Sequence, residues 1–595
     1  MLPVNTKVLH ASLESEEDPP HITLHTMTLI PDTQPNGNEP RTTAYIDSPR
    51  YQYYRKKLRI VVIGSGFAGI YFALRAAERL KDVEVQVYER HHEIGGTWLV
   101  NTYLGAACDF PCHIYTYTFA PNPNWSRVYA GQEEILEYLK DVADKYNVRK
   151  AIKFKHTVKS AFWNEVTAQW DLTIEHEGEI VKDSADVFIN ASGVLTDAKL
   201  TVPGIYNFEG PMLHSAEWDS TIDFKDKNIA LIGNGSSAIQ LLPQLQTMVK
   251  NVDNYVRNST WITPAFASDL TLEKGSNDNN PLYTEEQKKA WRDDPKLFLE
   301  FRKLEHNFNN HWHLVNPNGQ VQKGARKEVA EQMRRVLADK PDLAESLMPD
   351  WAVGCRRVSP GVGYLECLAE DNVHVIRDGI ETVTKDGIRT IDGTIRKYDI
   401  IVAATGYDTS RSANFELVGR EGFRFTPEWK LAPRGYMALA IENCPNYFVF
   451  HGPNAPVGNG STIPYIEHVG DYMIEAIRKL QTENYRTVMP KLRAIEAFTH
   501  YCDTYLEKTI FADSCQSTYK NRESGKIRGL WPGSGCAYID VIRRPRWEDY
   551  EWEVEGGDDM MFHWMGNGFT EAELSGGDQA FYLDDAIANG PPPLA

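Results

Sequence analysis

The sequence predicts an α/β protein: two Rossmann-like dinucleotide-binding domains of parallel strands and helices, with a helical insertion. Three observations carry this. An apolar, β-branched run, LRIVVIG (58–64), leads into GSGFAG; a second, NIALIG (228–233), leads into GNGSSA; a third, YDIIVAATGYD, covers 398–408. Short apolar runs that end in glycine and precede helical periodicity have the pattern of buried parallel strands with crossover helices. Their alternation argues for parallel α/β layers.

The first motif supplies Gly64, Gly66 and Gly69, with Phe67 between the last two, and opens the helix FAGIYFALRAAERL. A second strand, VEVQVYE, ends at Glu89, twenty residues past Gly69. Strand, glycine turn, helix, second strand and terminal acid make up the full dinucleotide fingerprint. Gly64 permits the tight turn, Gly66 lets the backbone approach a pyrophosphate, and Gly69 allows helix and strand to pack closely. The helix N-terminus would hold the anion, and Glu89 would accept a hydrogen bond from a ribose hydroxyl.

The second motif supplies Gly233, Asn234, Gly235, Ser236, Ser237 and, at the third glycine position, Ala238. Its second strand, VDNYVR, ends at Arg257. From first glycine to strand-end residue the spacing is 25 in the first motif and 24 in the second, so Arg257 stands where Glu89 stands. A carboxylate there repels a 2′-phosphate, whereas a guanidinium pairs with it bidentately. The first site therefore reads as FAD and the second as NADP(H), with a solvated strand-end charge as the plainer account of Arg257. The two motifs are the only internal repeat detected.

At 595 residues the chain has room for three or four units at roughly 150 residues each. The expected organisation is an extension over 1–57, polar and proline-rich; a discontinuous FAD-binding domain, 58–205 and 395–545; and a discontinuous NADP-binding domain, 206–265 and 351–394. A charged, helically periodic insertion on the second unit covers 266–350, and an acidic tail rich in glycine and aromatics covers 546–595.

Composition narrows the function classes. The net charge of −19 opposes a nucleic-acid role. The N-terminus MLPVNTKVLHASLESEEDPP has no apolar core of a secretory signal, and no run of about 18 apolar residues suggests a membrane span. The eight cysteines are scattered, without C-x-x-C; Cys108 and Cys112, four apart, suit neither a zinc ribbon nor a redox dithiol. Free thiols in a reducing, cytoplasmic setting are the expectation, and no metal site is expected. A chain with both nucleotide sites passes hydride from NADPH to flavin. Disulfide reductases do so with a dithiol beside the flavin, and flavin monooxygenases without one, so the missing dithiol favours the monooxygenases.

Three stretches carry a family resemblance. FEGPMLHSAEWD (208–219) matches F-x-G-x-x-x-H-x-x-x-W-[PD], the fingerprint of type I Baeyer–Villiger monooxygenases; the sister flavin-containing monooxygenases usually lack the residue equivalent to Trp218. GGTWLVNTYLGAACD resembles the family's second motif through Gly96, Trp98, Tyr103, Gly105 and Asp109, with Leu104 in place of a proline. ATGYD (404–408) resembles the end of a flavin-domain strand in the family. The resemblance spans roughly residues 58 to 545 and is nearest the fungal secondary-metabolism branch.

The resemblance implies an NADPH- and O2-consuming enzyme that converts a ketone, bulky and apolar or polycyclic, to an ester or lactone through a C4a-peroxyflavin. It further implies that Thr97, Trp98, Val100, Phe110 and Tyr115 line FAD, and that Ala107, Cys108 and Asp109 lie where flavin and nicotinamide meet. In VGCRRVSPG, Arg357 takes the catalytic place, and Arg356 that of a lysine touching the NADP phosphate. Chemistry agrees: a fixed guanidinium keeps its charge, would hold a peroxide anionic and would stabilise an oxyanion, and a carboxylate such as Asp109 could orient it. The plainer accounts are a turn cap for Asp109 and a surface charge for Arg357. His214 is tempting as a general base, but its place between the two motifs favours an anchor for a hinge between domains. Two rival functions stay open: a flavin-dependent S- or N-oxygenase, which would not need Arg357, and a flavin-binding redox sensor without turnover.

Overall fold

A computed structural model describes residues 50–264, 279–309, 312–410, 412–458 and 460–583. The expected extension before residue 50, the start of the expected insertion and the last twelve residues of the tail lie outside the described residues.

Two five-stranded parallel sheets form the framework. In the first the order is Tyr447–Val449, Val187–Asn190, Leu58–Ile63, Val83–Tyr88, Ile152–Lys153. In the second it is Met212–His214, Ile400–Ala403, Asn228–Ile232, Asn251–Tyr255, Val373–Ile376. Each sheet places the glycine-motif strand at its centre. The strand after the motif helix lies on one side, and a strand from much later in the chain on the other. The central strands are buried on both faces (Ile60, Val61 and Val62; Ile229, Ala230 and Leu231), which is why they read as unbroken apolar runs rather than as alternating ones.

The strand Ile400–Ala403 corrects one expectation. Its ladder runs along Asn228–Ile232 and Met212–His214, so the run ending in ATGYD lies inside the second sheet instead of the first. The assignment of 395–545 to the first unit accordingly fails at its start. The physical reason is that a short apolar strand carries no mark of its partners; pairing is settled by the strands on either side of it in the folded sheet.

The insertion is also corrected. Helices Gln320–Val336 and Pro341–Leu347 bury Val329, Met333, Ala344 and Leu347 in the core of the second unit. Helices Glu285–Asp293 and Pro295–Asn309 instead send Trp291 and Phe298 into the core of the first. There Tyr283, Trp291, Phe298 and Phe301 surround the His113 ring at 4.8–5.5 Å between centroids. The insertion thus straps both units together.

Behind the first sheet the helices Phe67–Arg79 and Ile463–Thr482 touch so closely that a Cβ on Gly470 would fall 2.7 Å from the Tyr71 ring. Smaller antiparallel sheets complete each unit: His156–Asn164, Gln169–His176 and Glu179–Ala185 beside the first, and Ile380–Thr384, Gly387–Thr390 and Ile395–Lys397 beside the second. Among the described residues no helix is long and apolar enough to cross a membrane.

Candidate active site between two glycine turns

One continuous cavity of about 1310 Å³ runs past both glycine turns. That exceeds the ~300–1,000 Å³ of an ordinary small-molecule pocket, and suits two dinucleotides and a substrate. Every predicted site residue except Gly69 and Ala238 lines it. Those two face backwards: a Cβ on Gly69 would lie 1.9 Å from the Gly64 carbonyl oxygen, and Ala238 is buried in the second core. They hold helix against strand and touch no ligand space.

The two turns are built alike. Gly64 has φ +91° and Gly233 φ +130°, and a Cβ on either would strike a carbonyl of the neighbouring strand's exit, Ala191 at 2.7 Å and Ala404 at 2.5 Å. Any other residue would be strained in φ and would clash with backbone. ASG (191–193) and ATG (404–406) therefore occupy equivalent places beside equivalent turns, at the topological switch points where open α/β sheets bind ligands.

The strand-end charges behave differently. Glu89 is buried (4 % exposed) and accepts from the Ser65 N–H and Oγ–H, both at 2.8 Å, and from the His91 N–H at 2.8 Å. It fastens the turn it follows. Arg257 is exposed, makes no ion pair among the described residues, and faces the cavity. Arg356 lies over the second turn, its Nη2 3.4 Å from where a Cβ on Gly235 would be. Burial, and after it the nearby Arg522 charge, lowers the Arg356 pKa, with Tyr364 opposing; such a cation gains when an anion arrives.

Between the turns stands the sharpest constellation. Arg357 Nε donates to Asp109 Oδ2 at 2.8 Å and its Nη2 to Oδ1 at 2.5 Å. The guanidinium also lies over the Phe110 ring, 5.0 Å from the centroid. A bidentate pair fixes both rotamers and leaves the remaining N–H groups directed by geometry. Burial alone would lower the Arg357 pKa, but the Asp109 charge and hydrogen bonds outweigh it and raise the pKa above its usual value. Burial, seconded by Asp109, pushes the Cys108 thiol up. Cys108 and Cys112 are unbridged and buried.

The second motif of the resemblance forms the wall of the first turn. A Cβ on Gly96 would come within 2.9 Å of the Gly66 Cα, so the two loops meet backbone to backbone. Thr97, Trp98 and Val100 follow on one helical turn, and Trp98 Nε1 donates to the Tyr115 hydroxyl at 3.2 Å. Phe67 packs edge-on to Tyr115 at 5.1 Å.

Sequence reasoning missed the joint between the units. Gln240, on the helix after the second turn, accepts from Tyr103 OH at 2.7 Å and donates to the Ala107 carbonyl at 2.9 Å. It locks the loop carrying Asp109 onto the second unit; a helical glutamine gives no local signal of this. Tyr407, hydrogen-bonded to Asn101 Oδ1, is a second tie. His214 sits on the edge strand with its Nδ1 accepting from Ala216 N–H at 3.1 Å and its ring 6.2 Å from that of Tyr407. It does not line the cavity, and Trp218 stacks on Phe224 at 5.4 Å.

The expectation that all cysteines are free thiols is overturned. Cys355 and Cys515, 160 residues apart, form a disulfide. Both are buried, and their approach is decided by the meeting of two distant segments.

Residues 56–270 match the family described as flavin-binding monooxygenase-like. The chain is 38% identical over 537 residues to the FAD-binding monooxygenase tazF of Aspergillus terreus, covering 89% of this chain and 95% of that protein. It is 31% identical over 509 residues to a Baeyer–Villiger monooxygenase of Streptomyces coelicolor, covering 84% and 94%. Among solved structures, an oxidised steroid monooxygenase bound to NADP superposes with TM-score 0.71 at 27% identity, over 84% of this chain and all of that one. The chain belongs to the flavin-binding monooxygenases of the Baeyer–Villiger type.

Proposed function

We propose that this chain binds FAD at the first glycine turn and NADP(H) at the second, and uses them with O2 to convert a ketone to an ester or lactone. The single observation that carries the reading is the Arg357–Asp109 pair, bidentate, stacked on Phe110 and set between the two turns. The fit to both groups rests on the cavity and on the tight turn at each end of it, where a Cβ at Gly64 or Gly233 would strike the backbone that shapes the turn.

Bound flavin would supply the redox chemistry, taking hydride from the nicotinamide and activating oxygen. The chain's own residues have separate tasks. Glu89 holds the first turn, and its free lone pairs can take a ribose hydroxyl. Gly66, Gly96, Thr97, Trp98 and Val100 offer backbone and wall to the flavin nucleotide, with Phe67 and Tyr115 behind. Asn234, Gly235, Ser236 and Ser237 offer a helix N-terminus to the second pyrophosphate, Arg257 takes the 2′-phosphate, and Arg356 adds charge over the turn. Arg357, held by Asp109, would present a permanent cation to an anionic oxygen nucleophile and would stabilise negative charge developing on the carbonyl oxygen. Phe110 lines the cavity beside the pair and would help to exclude water from it. The substrate we propose is a bulky apolar ketone of a secondary-metabolite route in the cytoplasm, a reading that rests on the sequence resemblance; kinship to the FAD-binding monooxygenase tazF supports the flavin monooxygenase class.

The test is product analysis with NADPH over cyclic, linear and polycyclic ketones, in wild type and Arg357→Ala. Wild type yields ester; the variant loses at least about 100-fold of that rate while still oxidising NADPH. Ester formation that survives Arg357→Ala, or a wild type that makes only sulfoxide or N-oxide, overturns the reading.

A further inference from the structure

The disulfide joins two segments that both face the nucleotide cavity. Cys355 immediately precedes Arg356 and Arg357. Cys515 opens a stretch of turns whose Gln516, Tyr519, Lys520 and Arg522 line the cavity. This stretch contains no helix and only an isolated bridge, Lys520 with Ile527. Residues 522–525 at its tip are exposed.

Its tip rests on the Lys430–Leu431 backbone, whose carbonyls accept from Asn521 Nδ2 at 3.3 Å and from Ser524 Oγ, Tyr519 packs into the first core, and each end is held separately. At the far end Arg528, 5 % exposed, is ion-paired with Asp503. At the near end the ties are Ala352 N–H to Asp513 Oδ2 at 2.8 Å, a long 3.4 Å contact from Asn258 Nδ2 to Gln516 Oε1, and the disulfide. Asn258 adjoins Arg257, so the stretch closes over the place assigned to the 2′-phosphate. It brings Arg522 towards a cradle already holding Arg257 and Arg356, while the Lys520 ammonium donates to the Asp513 carbonyl at 2.6 Å. Cations gathered around one space repel unless an anion is present, and a covalent tie keeps Arg522 in place when it is absent.

We propose that the Cys355–Cys515 disulfide is a redox-controlled clamp that fixes residues 516–526 across the phosphate end of the NADP site, and that its reduction weakens NADP(H) binding. The inference rests on the NADP reading of the second turn. The reductant is a dithiol. Its thiolate attacks Cys515 sulfur, breaking the protein S–S bond and forming a mixed disulfide, and its second thiol then displaces Cys515. Two electrons and two protons pass to the protein, which ends with two thiols, and the dithiol ends as a disulfide. A cavity of about 500 Å³ behind the stretch, bordered by Cys515, Leu506 and Lys526, is the route of entry. In a reducing compartment, bonds of this kind are those that open and close.

The holoenzyme, isolated without reductant and alkylated before proteolysis under non-reducing conditions, should give a cross-linked peptide pair containing Cys355 and Cys515. The other six cysteines should be alkylated. The KM for NADPH should rise at least fivefold after dithiothreitol and alkylation, and also in Cys515→Ala, with kcat at saturating NADPH within twofold and FAD occupancy unchanged. Dithiothreitol should not move Cys515→Ala further, and Cys536→Ser, which alters an exposed free thiol, should respond like wild type. Should Cys515→Ala fail to fold, the reduced wild type decides. Eight alkylated cysteines, or a KM within twofold after reduction, overturns the clamp. An Arg257→Ala variant with unaltered KM would instead undermine the NADP reading, and the cross-link measurement stands apart from it.

Discussion

Glu89 and Arg257 end equivalent strands of equivalent sheets, yet one is buried with three donors on its carboxylate and the other stands exposed with no ionic partner among the described residues. The first turn is thus assembled by the chain itself. The second is left with positive charge from Arg257 and Arg356 that only a ligand can satisfy. A site that completes its own electrostatics suits a nucleotide that stays; one that leaves charge unsatisfied suits a nucleotide that exchanges, and places the affinity in the phosphate contacts.

That contrast can be broken most forcefully at Glu89. Glu89→Ala orphans Ser65 N–H, Ser65 Oγ–H and His91 N–H, at about 1–3 kcal/mol for each buried donor. The expected outcome is protein purified largely without bound flavin, read by the 450 nm absorbance ratio; wild-type occupancy would mean that the acid does not hold the turn. Arg257→Ala comes next. Losing one charged hydrogen-bonding partner of a phosphate is worth about 1.5–3 kcal/mol, so the KM for NADPH should rise about 10- to 100-fold while that for NADH barely moves and flavin stays bound. Equal rises for both coenzymes would show that Arg257 does not read the 2′-phosphate.

The smallest effect comes from a third carboxylate, which isolates burial from hydrogen bonding. Glu305 is fully buried beside Tyr283, whose hydroxyl lies 3.4 Å away, and burial pushes its pKa up from an ordinary 4.5 to about 8, against the opposing pulls of Tyr283 and Arg302. Between those values the folded protein holds a proton that the unfolded chain has lost, so this group's contribution makes stability fall as pH rises from about 4.5 through about 8. Glu305→Gln removes that slope. The loss of Tm between pH 6 and pH 9 should shrink by about 1–3 °C in the variant; an identical loss in both proteins would place the proton elsewhere.

Much of the nucleotide framework was legible in the sequence because it is local. Strand, turn and helix are adjacent in the chain, the φ demanded at Gly64 and Gly233 admits little else, and the matched spacing to Glu89 and Arg257 follows from one helix and one strand of nearly equal length.

What the tertiary structure decided is everything that joins distant segments. Asp109 and Arg357 are 248 residues apart and Cys355 and Cys515 are 160 apart. Ile400–Ala403 chose the second sheet, and the insertion divided itself between two cores. None of these has a local signature, because a carboxylate, a thiol or an apolar strand specifies the chemistry of its partner and not its address. The address is fixed when sheets close their edges and helices bury their apolar faces, and only then do the charges that flank the two turns come to face one cavity.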